Sequence, residues 1–290
     1  MRKTFADILI RKAEEDEKLV VLIGDISHFL LKEFESRFPD RFYNIGICEQ
    51  SMIGIAAGLA LNGFKPDVHT IAPFCVERAY EQIKIDLCYQ ELDVTIVTVG
   101  GSFDYAHLGC THHCYSDISI LRPLPNIDIF CPGNKKEFKN LFNKTWSNGK
   151  TKYFKLFKSM HEEDFDINPY DCHIIEGDIT KPLIFTCGHT LEIVKEKQNI
   201  IIYLPTIEPL SLETELKIVN LLKKQNNCIS VEENSSIGAL GDKIFDIASR
   251  NNMLINLKKT GIPRKFCTDY GTADEHREIL GLTKEKLRYV

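Results

Sequence analysis

The chain has 290 residues, and 36 Lys and Arg residues against 41 Asp and Glu residues give a formal net charge of −5 at pH 7. At roughly 100 to 200 residues per domain, this length predicts two domains and excludes a single small module. The basic residues are spread along the chain without forming a stripe, so we expect no nucleic acid partner. No apolar run approaches the roughly 18 to 20 residues that span a bilayer, so we expect no membrane contact.

The N-terminus and the cysteines predict the compartment. Residues 1–5 are followed by alternating polar and apolar residues rather than by the apolar block of a secretory signal. Several of the ten cysteines, among them Cys88, Cys187 and Cys228, lie in apolar segments, where a reduced thiol behaves as a small buried hydrophobe. We therefore expect a cytoplasmic protein with reduced cysteines.

Residues 1–160 alternate short β-branched runs with amphipathic stretches, which is the pattern of βαβ units around a parallel sheet. The predicted strands are 19–23, 68–71, 94–99, 127–130 and 153–157. The predicted crossover helices are 4–15, 49–61, 74–89 and 135–146. This half of the chain is predicted to form a first α/β domain.

The alternation stops and then resumes. Residues 161–177 are acidic, contain Pro169 and show no clear period, which predicts a linker. Beyond it, the predicted strands are 183–186, 200–203, 228–231 and 254–257, and the predicted helices are 212–224 and 237–249. Residues 178–290 are therefore predicted to form a second α/β domain.

The predicted helix 49–61 carries small residues on one side, because Gly54, Ala57 and Gly58 follow one another at helical spacing. Another helix or backbone can approach closely there. Glu49 begins this helix, where the helix dipole favours a carboxylate by about 0.3–1 kcal/mol. From the local sequence alone, Glu49 is a helix-terminal charge.

Several segments, kept in order, resemble the pyrimidine-binding domain of transketolases. They are residues 46–50 (Gly-Ile-Cys-Glu-Gln), 55–60 (Ile-Ala-Ala-Gly-Leu-Ala), 74–82 (Phe-Cys-Val-Glu-Arg-Ala-Tyr-Glu-Gln), 109–112 (Gly-Cys-Thr-His) and 121–126 (Leu-Arg-Pro-Leu-Pro-Asn). Residues 205–210, 231–234 and 237–241 look like parts of the transketolase C-terminal domain. The resemblance implies an α/β fold of two mostly parallel sheets flanked by helices, with the pyrimidine domain at 1–160 and the C-terminal domain at 178–290.

The resemblance implies thiamine diphosphate as cofactor, which supplies a carbon nucleophile and an electron sink for moving a two-carbon ketol unit between sugars. Glu49 stands where the family has the glutamate that hydrogen-bonds N1′ of the aminopyrimidine and activates it. Phe74 matches the aromatic residue that packs on the pyrimidine, and Ile71 stands where a second phenylalanine is frequent. Asp25 matches an acidic residue near the cofactor at the end of the first strand. An equally good interpretation makes Asp25 the N-cap of the next helix.

The resemblance also implies the substrate side of the site. His112 matches an active-site histidine that donates a proton or a hydrogen bond to a substrate oxygen. Leu108 replaces an aspartate that contacts a sugar hydroxyl, and Lys158 replaces an arginine that grips the substrate phosphate without offering its bidentate fork. Standard pentose phosphates are therefore not the expected substrates. His69 is a weaker candidate for the same cleft and has a structural role as its alternative.

Residues 110–114, Cys-Thr-His-His-Cys, offer zinc-ligating types. Adjacent histidines rarely converge on one ion, and no second cysteine pair completes a familiar spacing. We predict no metal site in this chain, and the pattern leaves open whether Cys110 or His113 contributes to the site.

The chain lacks the family's diphosphate and magnesium motif, Gly-Asp-Gly followed downstream by Asn. The three Gly-Asp pairs, at 24–25, 177–178 and 241–242, are followed by Ile, Ile and Lys. The resemblance is therefore to the C-terminal subunit of a split transketolase, active on a sugar or sugar phosphate only with an N-terminal subunit that holds the magnesium. We expect an α2β2 heterotetramer with the site between subunits.

Three other functions fit parts of the pattern. A deoxyxylulose-phosphate-synthase-like enzyme shares Arg78-Ala79-Tyr80 and Thr111-His112, although its one-chain form is about twice as long. The β subunit of a 2-oxo acid dehydrogenase has the same two-domain plan. A catalytically silent scaffold subunit is the third alternative, and the presence of Glu49 and His112 disfavours it.

Overall fold

A computed structural model describes residues 1–289. It contains two mostly parallel β-sheets flanked by helices, which confirms the predicted fold class. The strands are β1 (Leu19–Ile23), β2 (Phe42–Asn44), β3 (Lys65–Ile71), β4 (Thr95–Val99), β5 (Ile127–Phe130), β6 (Thr151–Lys155), β7 (His173–Ile175), β8 (Leu183–Thr186), β9 (Ile201–Tyr203), β10 (Thr206–Glu208), β11 (Asn227–Ser235) and β12 (Asn256–Ile262).

The α-helices cover the faces of these sheets. They are α1 (Arg2–Glu15), α2 (His28–Arg37), α3 (Glu49–Leu61), α4 (Tyr80–Gln82), α5 (Asp117–Leu121), α6 (Lys135–Thr145), α7 (Leu191–Val194), α8 (Leu212–Lys224), α9 (Leu240–Arg250) and α10 (Ala273–Leu280). In this part of the chain no helix has the length and apolar character needed to cross a membrane.

The first sheet has the order β10-β5-β6-β4-β3-β1-β2. Its strands run parallel except β10, which pairs antiparallel with β5. Strands β1, β4, β5 and β6 are buried along their whole length, as expected of a parallel sheet covered on both faces. The second sheet, β12-β11-β8-β9-β7, is also parallel apart from the β7–β9 pair.

Three short strands were absent from the sequence prediction. They are β2, β7 and β10, each of three residues, which is too short for a period of two to stand out. β7 lies within residues 161–177, which were predicted to form a linker. β10 follows β9 of the predicted second domain in the sequence, but it is the edge strand of the first sheet. The predicted domain boundaries at residues 160 and 178 therefore remain a prediction. One strand from residues 178–290, β10, pairs with β5 of the first sheet.

The predicted helix 74–89 is built differently from an ideal α-helix. The chain makes wide turns with i→i+5 bonds at Pro73–Glu77 and Ile83–Cys88, on either side of α4. Such turns occur often at functional sites because they shift side chains around the helix axis. This segment carries Phe74 and Arg78, which lie in the candidate site.

The two halves share one hydrophobic core. A single cluster of buried side chains contains Ile53 of α3, Ile96 of β4, Ile202 of β9 and Ile244 of α9. A second cluster, under α1, α2 and α6, fills the other face of the first sheet. The relative position of the two sheets is thus fixed by apolar packing rather than by the connecting segment alone.

A buried lysine adds a polar connection between the halves. The Lys155 ammonium, at the end of β6 and 0% exposed, donates to Asp117 Oδ1 at 2.8 Å and to Asn234 Oδ1 at 2.7 Å. Its third hydrogen bond goes to the Cys114 carbonyl oxygen at 3.0 Å. The Asp117 charge raises the pKa of Lys155 against the opposing effect of burial, so the ammonium stays charged. Lys155 therefore joins the first sheet, the loop before α5 and β11 of the second sheet.

We expect Lys155→Met to lower the free energy of unfolding by about 3–5 kcal/mol, because it leaves the buried Asp117 carboxylate without its counterion. Chemical denaturation of the purified chain measures this. Lys217→Met removes an exposed lysine that pairs with Glu213 at 2.7 Å and should cost about 0.5 kcal/mol or less. A similar small loss for both variants would contradict the structural role given to Lys155.

Candidate active site

The predicted site residues lie at one edge of the first sheet. In a parallel sheet the loops after the carboxyl ends of the strands meet at the same edge, where open α/β sheets bind ligands. The loops after β1, β2, β3, β4 and β6 carry Asp25, Glu49, Phe74, His112 and Lys158, respectively. The topology therefore brings together residues that are up to 133 positions apart in the sequence, from 25 to 158.

Glu49 is a buried carboxylate with one charged partner. It is the first residue of α3 and is 1% exposed. Arg78 Nη1 donates a hydrogen bond to Glu49 Oε2 at 2.7 Å. A carboxylate without a partner at this depth would be costly, so Arg78 and the helix N-terminus together hold Glu49 at the edge of the sheet.

Glu49, Arg78, Phe74 and His112 form a continuous row, here called the Glu49–His112 row. The guanidinium carbon of Arg78 lies 4.5 Å from the centre of the Phe74 ring. The Phe74 and His112 rings meet edge to face, with their centres 5.1 Å apart. A carboxylate, a guanidinium, an aromatic ring and an imidazole thus lie next to one another in this order.

His112 is half-buried in a helical turn, Cys110–His112, and its Nδ1 lies 2.9 Å from Thr111 Oγ1. Burial lowers the pKa of His112, and the neighbouring His107 lowers it further. The ring is therefore neutral near pH 7, where it can donate a hydrogen bond from one nitrogen and accept one at the other.

The adjacent His113 points into the protein instead. Its ring lies 5.1 Å from both the Phe103 and the His276 rings, centre to centre. The two histidines therefore have different surroundings, His112 beside Phe74 and His113 beside Phe103. Within residues 1–289 no three His, Cys, Asp or Glu side chains are grouped as a metal ion would require.

Asp25 is exposed at the end of β1. Its Oδ1 accepts a hydrogen bond from Asn44 Nδ2 at 3.2 Å and lies 3.4 Å from His28 Nε2. The N-cap of α2 is Ser27, so the interpretation of Asp25 as the cap of that helix is wrong. The half-buried Ile71 ends β3 at the same edge of the sheet.

His69 has a structural environment. It is 1% exposed, its Nδ1 donates to the Val97 carbonyl oxygen at 2.7 Å, and its Nε2 lies 2.9 Å from Ser27 Oγ. Burial lowers the pKa of His69 to about 4. A neutral ring with both nitrogens engaged inside the protein fits the structural interpretation better than a substrate contact.

Leu108 and Lys158, the two residues that depart from the family pattern, lie in the loops after β4 and β6. Leu108 is 43% exposed in the turn Ala106–Leu108 and offers no polar atom from its side chain. Lys158 Nζ donates to the backbone oxygen of Asp104 at 2.5 Å and lies 4.5 Å from the centre of the Tyr105 ring. Tyr105 in turn lies 6.4 Å from His112, centre to centre. The aromatic ring of Tyr105 thus separates Lys158 from the Glu49–His112 row.

Three residues of this edge were missed as site residues by the sequence prediction: Arg78, Tyr105 and Asp104. Asp104 is 6% exposed, and its Oδ2 accepts a hydrogen bond from the Lys158 amide at 2.9 Å. Its Oδ1 has no partner among the described residues. Burial and the nearby Glu233 charge raise the pKa of Asp104 to about 6. The sequence offered one signal for Asp104, since this acidic residue follows the predicted strand 94–99 and the Gly-Gly pair 100–101.

Comparison with known proteins places this geometry in a family. Residues 1–158, more than half of the chain, match the transketolase pyrimidine-binding domain. The chain belongs to the transketolase family. The predicted resemblance is thereby confirmed, and the match covers every strand at the edge that carries the Glu49–His112 row.

Two similar members are single subunits of about the same length. A subunit of the apulose-4-phosphate transketolase of Actinobacillus succinogenes is 30% identical over 257 residues, which are 84% of this chain and 82% of that protein. A solved split-gene transketolase in an inactive β4 tetramer is 26% identical, with a TM-score of 0.85 over 98% of this chain and 94% of that one. The 1-deoxy-D-xylulose-5-phosphate synthase of Alkaliphilus oremlandii is 30% identical over 295 residues, but this chain covers only 46% of it.

We expect the stability of the wild type relative to Asp104→Asn to rise as the pH falls from about 8 to about 4. The reference pKa of an unfolded aspartate is about 3.9, so between that value and about 6 the folded state holds a proton that the unfolded state lacks. This stabilisation is complete below the unfolded pKa and is lost as the pH rises through the folded one; it amounts to about 3 kcal/mol. Denaturant titrations at several pH values measure it. A difference that does not change with pH would show that Asp104 titrates normally.

Proposed function

We propose that this chain is the C-terminal subunit of a split thiamine-diphosphate-dependent transketolase, which transfers a two-carbon ketol unit between sugar substrates. The observation that carries the proposal is the buried Glu49 carboxylate at the start of α3, in a row with Phe74 and His112. This is the set of side chains that the reaction needs from the pyrimidine-binding half of the site. The similarity to single transketolase subunits over most of the chain supports it.

The residues at the sheet edge fit the aminopyrimidine of the cofactor. Glu49 presents a carboxylate whose second oxygen, Oε1, is not used by the Arg78 hydrogen bond, and a ring nitrogen can take that position. Phe74 presents a half-buried aromatic face beside it, with Ile71 as a second apolar contact. When bound, thiamine diphosphate supplies the carbon nucleophile and the electron sink of the reaction.

Each residue of this chain then has a stated task. With the cofactor bound, Glu49 would hydrogen-bond the pyrimidine ring nitrogen and share a proton with it, which would be the activating contact. Arg78 holds the Glu49 carboxylate in position. His112, neutral near pH 7, hydrogen-bonds a substrate oxygen and moves a proton to or from it. Lys158 attracts the anionic group of a sugar phosphate as a point charge.

The magnesium and diphosphate ligands are proposed to belong to an N-terminal partner subunit, since no Gly-Asp-Gly occurs in this sequence. The outer side of α3 fits a subunit interface. Its neighbour Ile47 is 71% exposed, Ile55 is 42% exposed and Leu61 is 62% exposed, and an added Cβ at Gly58 would meet nothing within 4 Å. We propose that the partner packs there in an α2β2 assembly, located in the cytoplasm.

A deoxyxylulose-phosphate-synthase-like activity is the second candidate. The Arg78-Ala79-Tyr80 segment resembles that enzyme. In this structure Arg78 of the segment forms an ion pair with Glu49. This chain, however, covers only 46% of such a relative. Product analysis with pyruvate in place of a ketose donor distinguishes the two activities.

We expect the isolated chain neither to bind thiamine diphosphate tightly nor to catalyse transfer, because the ligands of the diphosphate and the magnesium are not in it. Calorimetric titration with the cofactor and Mg²⁺ tests the first part. The same titration on the chain mixed with a transketolase-like subunit that carries Gly-Asp-Gly should give tight binding. Tight, magnesium-dependent binding by the isolated chain would overturn the proposed subunit division.

In the assembled enzyme, Glu49→Gln should lower turnover by several orders of magnitude, because an amide preserves the shape but cannot share the proton. Assembly, followed by analytical ultracentrifugation, should not change. The control is Glu33→Gln, which removes a glutamate with a 68% exposed side chain from α2 and should retain activity. If the turnover of Glu49→Gln were within about tenfold of the wild type, Glu49 would act only as a charge at the helix terminus.

A further inference from the structure

A loop of the first half, residues 109–115, packs against a segment of the second half, residues 265–270. The loop carries His112 and is here called the His112 loop, and the segment follows β12. An added Cβ at Gly109 would lie 2.8 Å from a ring carbon of Tyr270, so the loop backbone touches that ring. The start of the loop thus meets the end of the segment.

The other end of the His112 loop is hydrogen-bonded to the start of the segment. The Tyr115 hydroxyl donates to the Lys265 carbonyl oxygen at 3.4 Å. The Tyr115 ring lies 5.9 Å from that of Phe103, centre to centre, and the half-buried Cys267 packs against the apolar cluster that contains Phe103. The loop and the segment are therefore in contact near both of their ends.

The loop and the segment each carry a free cysteine. Cys110 is exposed at the beginning of the turn that ends at His112, and Cys267 is half-buried. Burial raises the pKa of the Cys267 thiol, and a charge on Cys110 raises it further. Burial also raises the pKa of Tyr115 to about 12, and charges on Cys267 and Cys110 contribute to this rise. Because salt screens charges separated by more than about 10 Å, both sulfur atoms lie close to the Tyr115 hydroxyl.

The two cysteines differ in how easily an oxidant reaches them. Redox-sensitive cysteines are accessible to solvent and lie next to a second thiol that resolves the first oxidation product. Cys131 and Cys187 show the opposite case, since their thiols hydrogen-bond each other but are 0% and 2% exposed, and buried thiols of this kind are inert. Exposure therefore selects Cys110 as the thiol that reacts first, with Cys267 as the second.

We propose that Cys110 and Cys267 are a redox-sensitive pair, which hydrogen peroxide converts to a disulfide between the His112 loop and the second half of the chain. The Cys110 thiolate attacks a peroxide oxygen; an S–O bond forms, the O–O bond breaks, and the leaving hydroxide takes up the thiol proton as water. Cys267 then attacks the sulfenic acid at Cys110; the S–S bond forms, the S–O bond breaks, and a second water leaves. Two thiols and one peroxide thus give one disulfide and two water molecules.

The disulfide acts on His112 through the loop. It requires the Cα atoms of the two cysteines to lie about 4.4–6.8 Å apart, which fixes Cys110, two residues before His112, on the segment. The His112 ring lies 5.1 Å from the Phe74 ring, centre to centre, and a displacement of about 1 Å in an active site can cost a reaction about 100-fold. The effect on turnover rests on the proposed function, whereas the formation of the bond does not.

Oxidation of the isolated full chain tests the bond, because both cysteines belong to it. After treatment with hydrogen peroxide, the chain is digested without reductant and the linked peptides are identified by mass spectrometry. We expect peptides joined through Cys110 and Cys267 at a yield at least about tenfold above that of any other cysteine pair, because thiols held side by side have a high effective concentration. Dithiothreitol should separate them.

Cys267→Ser separates the two steps of the reaction. Without the second thiol, the sulfenic acid at Cys110 persists, so dimedone, a reagent for sulfenic acids, should label Cys110 in this variant far more than in the wild type. Cys110→Ser should give neither the linked peptides nor this label. The matched controls are Cys48→Ser, which removes another exposed cysteine, and Cys172→Ser, which removes another half-buried one. Both should form the disulfide as the wild type does.

The effect on His112 is measured as turnover. The chain is oxidised, freed of peroxide and then mixed with a transketolase-like subunit that carries Gly-Asp-Gly. We expect turnover at least about tenfold below that of the reduced chain, and dithiothreitol should restore it. Reduced Cys267→Ser should be as active as the reduced wild type, since Cys267 lies outside the Glu49–His112 row.

Three results would overturn the pair: no linked Cys110–Cys267 peptides from the wild type, linkage of Cys110 to several cysteines in similar yield, or equal dimedone labelling of Cys110 in the wild type and in Cys267→Ser. Unchanged turnover of the linked chain would reject the effect on His112. The peptide mapping needs neither cofactor nor partner, so its failure leaves the Glu49→Gln turnover test standing. Conversely, a linked pair in a chain whose assembled enzyme transfers no ketol unit would reject the proposed reaction and keep the pair.

Discussion

The hydrogen bonds of one buried ammonium hold together the parts on which the site depends. Lys155 donates to Asp117 of α5, to the Cys114 carbonyl after the His112 turn, and to Asn234 of the second sheet. A buried charge is tolerated only when such partners surround it. The loop from β4 to α5 is therefore fixed at both the sheet and the second half, which sets where His112 lies relative to Phe74.

The site itself is built from partly compensated charges at the edge of a parallel sheet. Glu49 is paired with Arg78 on one oxygen only, and Asp104 is hydrogen-bonded on one oxygen only. The second oxygen of Glu49 takes no part in the Arg78 hydrogen bond, and Asp104 Oδ1 is buried with no partner among the described residues. Leaving a buried acceptor such as Asp104 Oδ1 unpaired is unfavourable for the isolated chain.

The two halves contribute unequally to this edge. The first sheet supplies the Glu49–His112 row. All four residues of this row lie within residues 1–158, which match the family. The second half supplies the strand β10 as the last strand of the first sheet, and residues 271–274 and Arg277 line a cleft together with Asp104 and Lys158. Its strand β9 and helix α9 pack with α3 and β4 in one apolar cluster, which fixes the second half relative to the first sheet. The C-terminal half is thus a structural part of the edge and not a separate body beside it.

The sequence by itself determined the α/β class, the long buried strands and the family, because apolar periodicity and ordered motifs are local properties of the chain. It also singled out Glu49, Phe74 and His112, since each lies in such a motif. Only the tertiary structure decided that β10 joins the first sheet, that Arg78 pairs with Glu49, and that Asp104 lies buried beside α10. Glu49 and its partner Arg78 are 29 positions apart in the sequence, and Asp104 and Arg277, which line one cleft, are 173 positions apart. Burial and charge pairing at such separations are set by how the sheets pack, and no local pattern in the sequence records them.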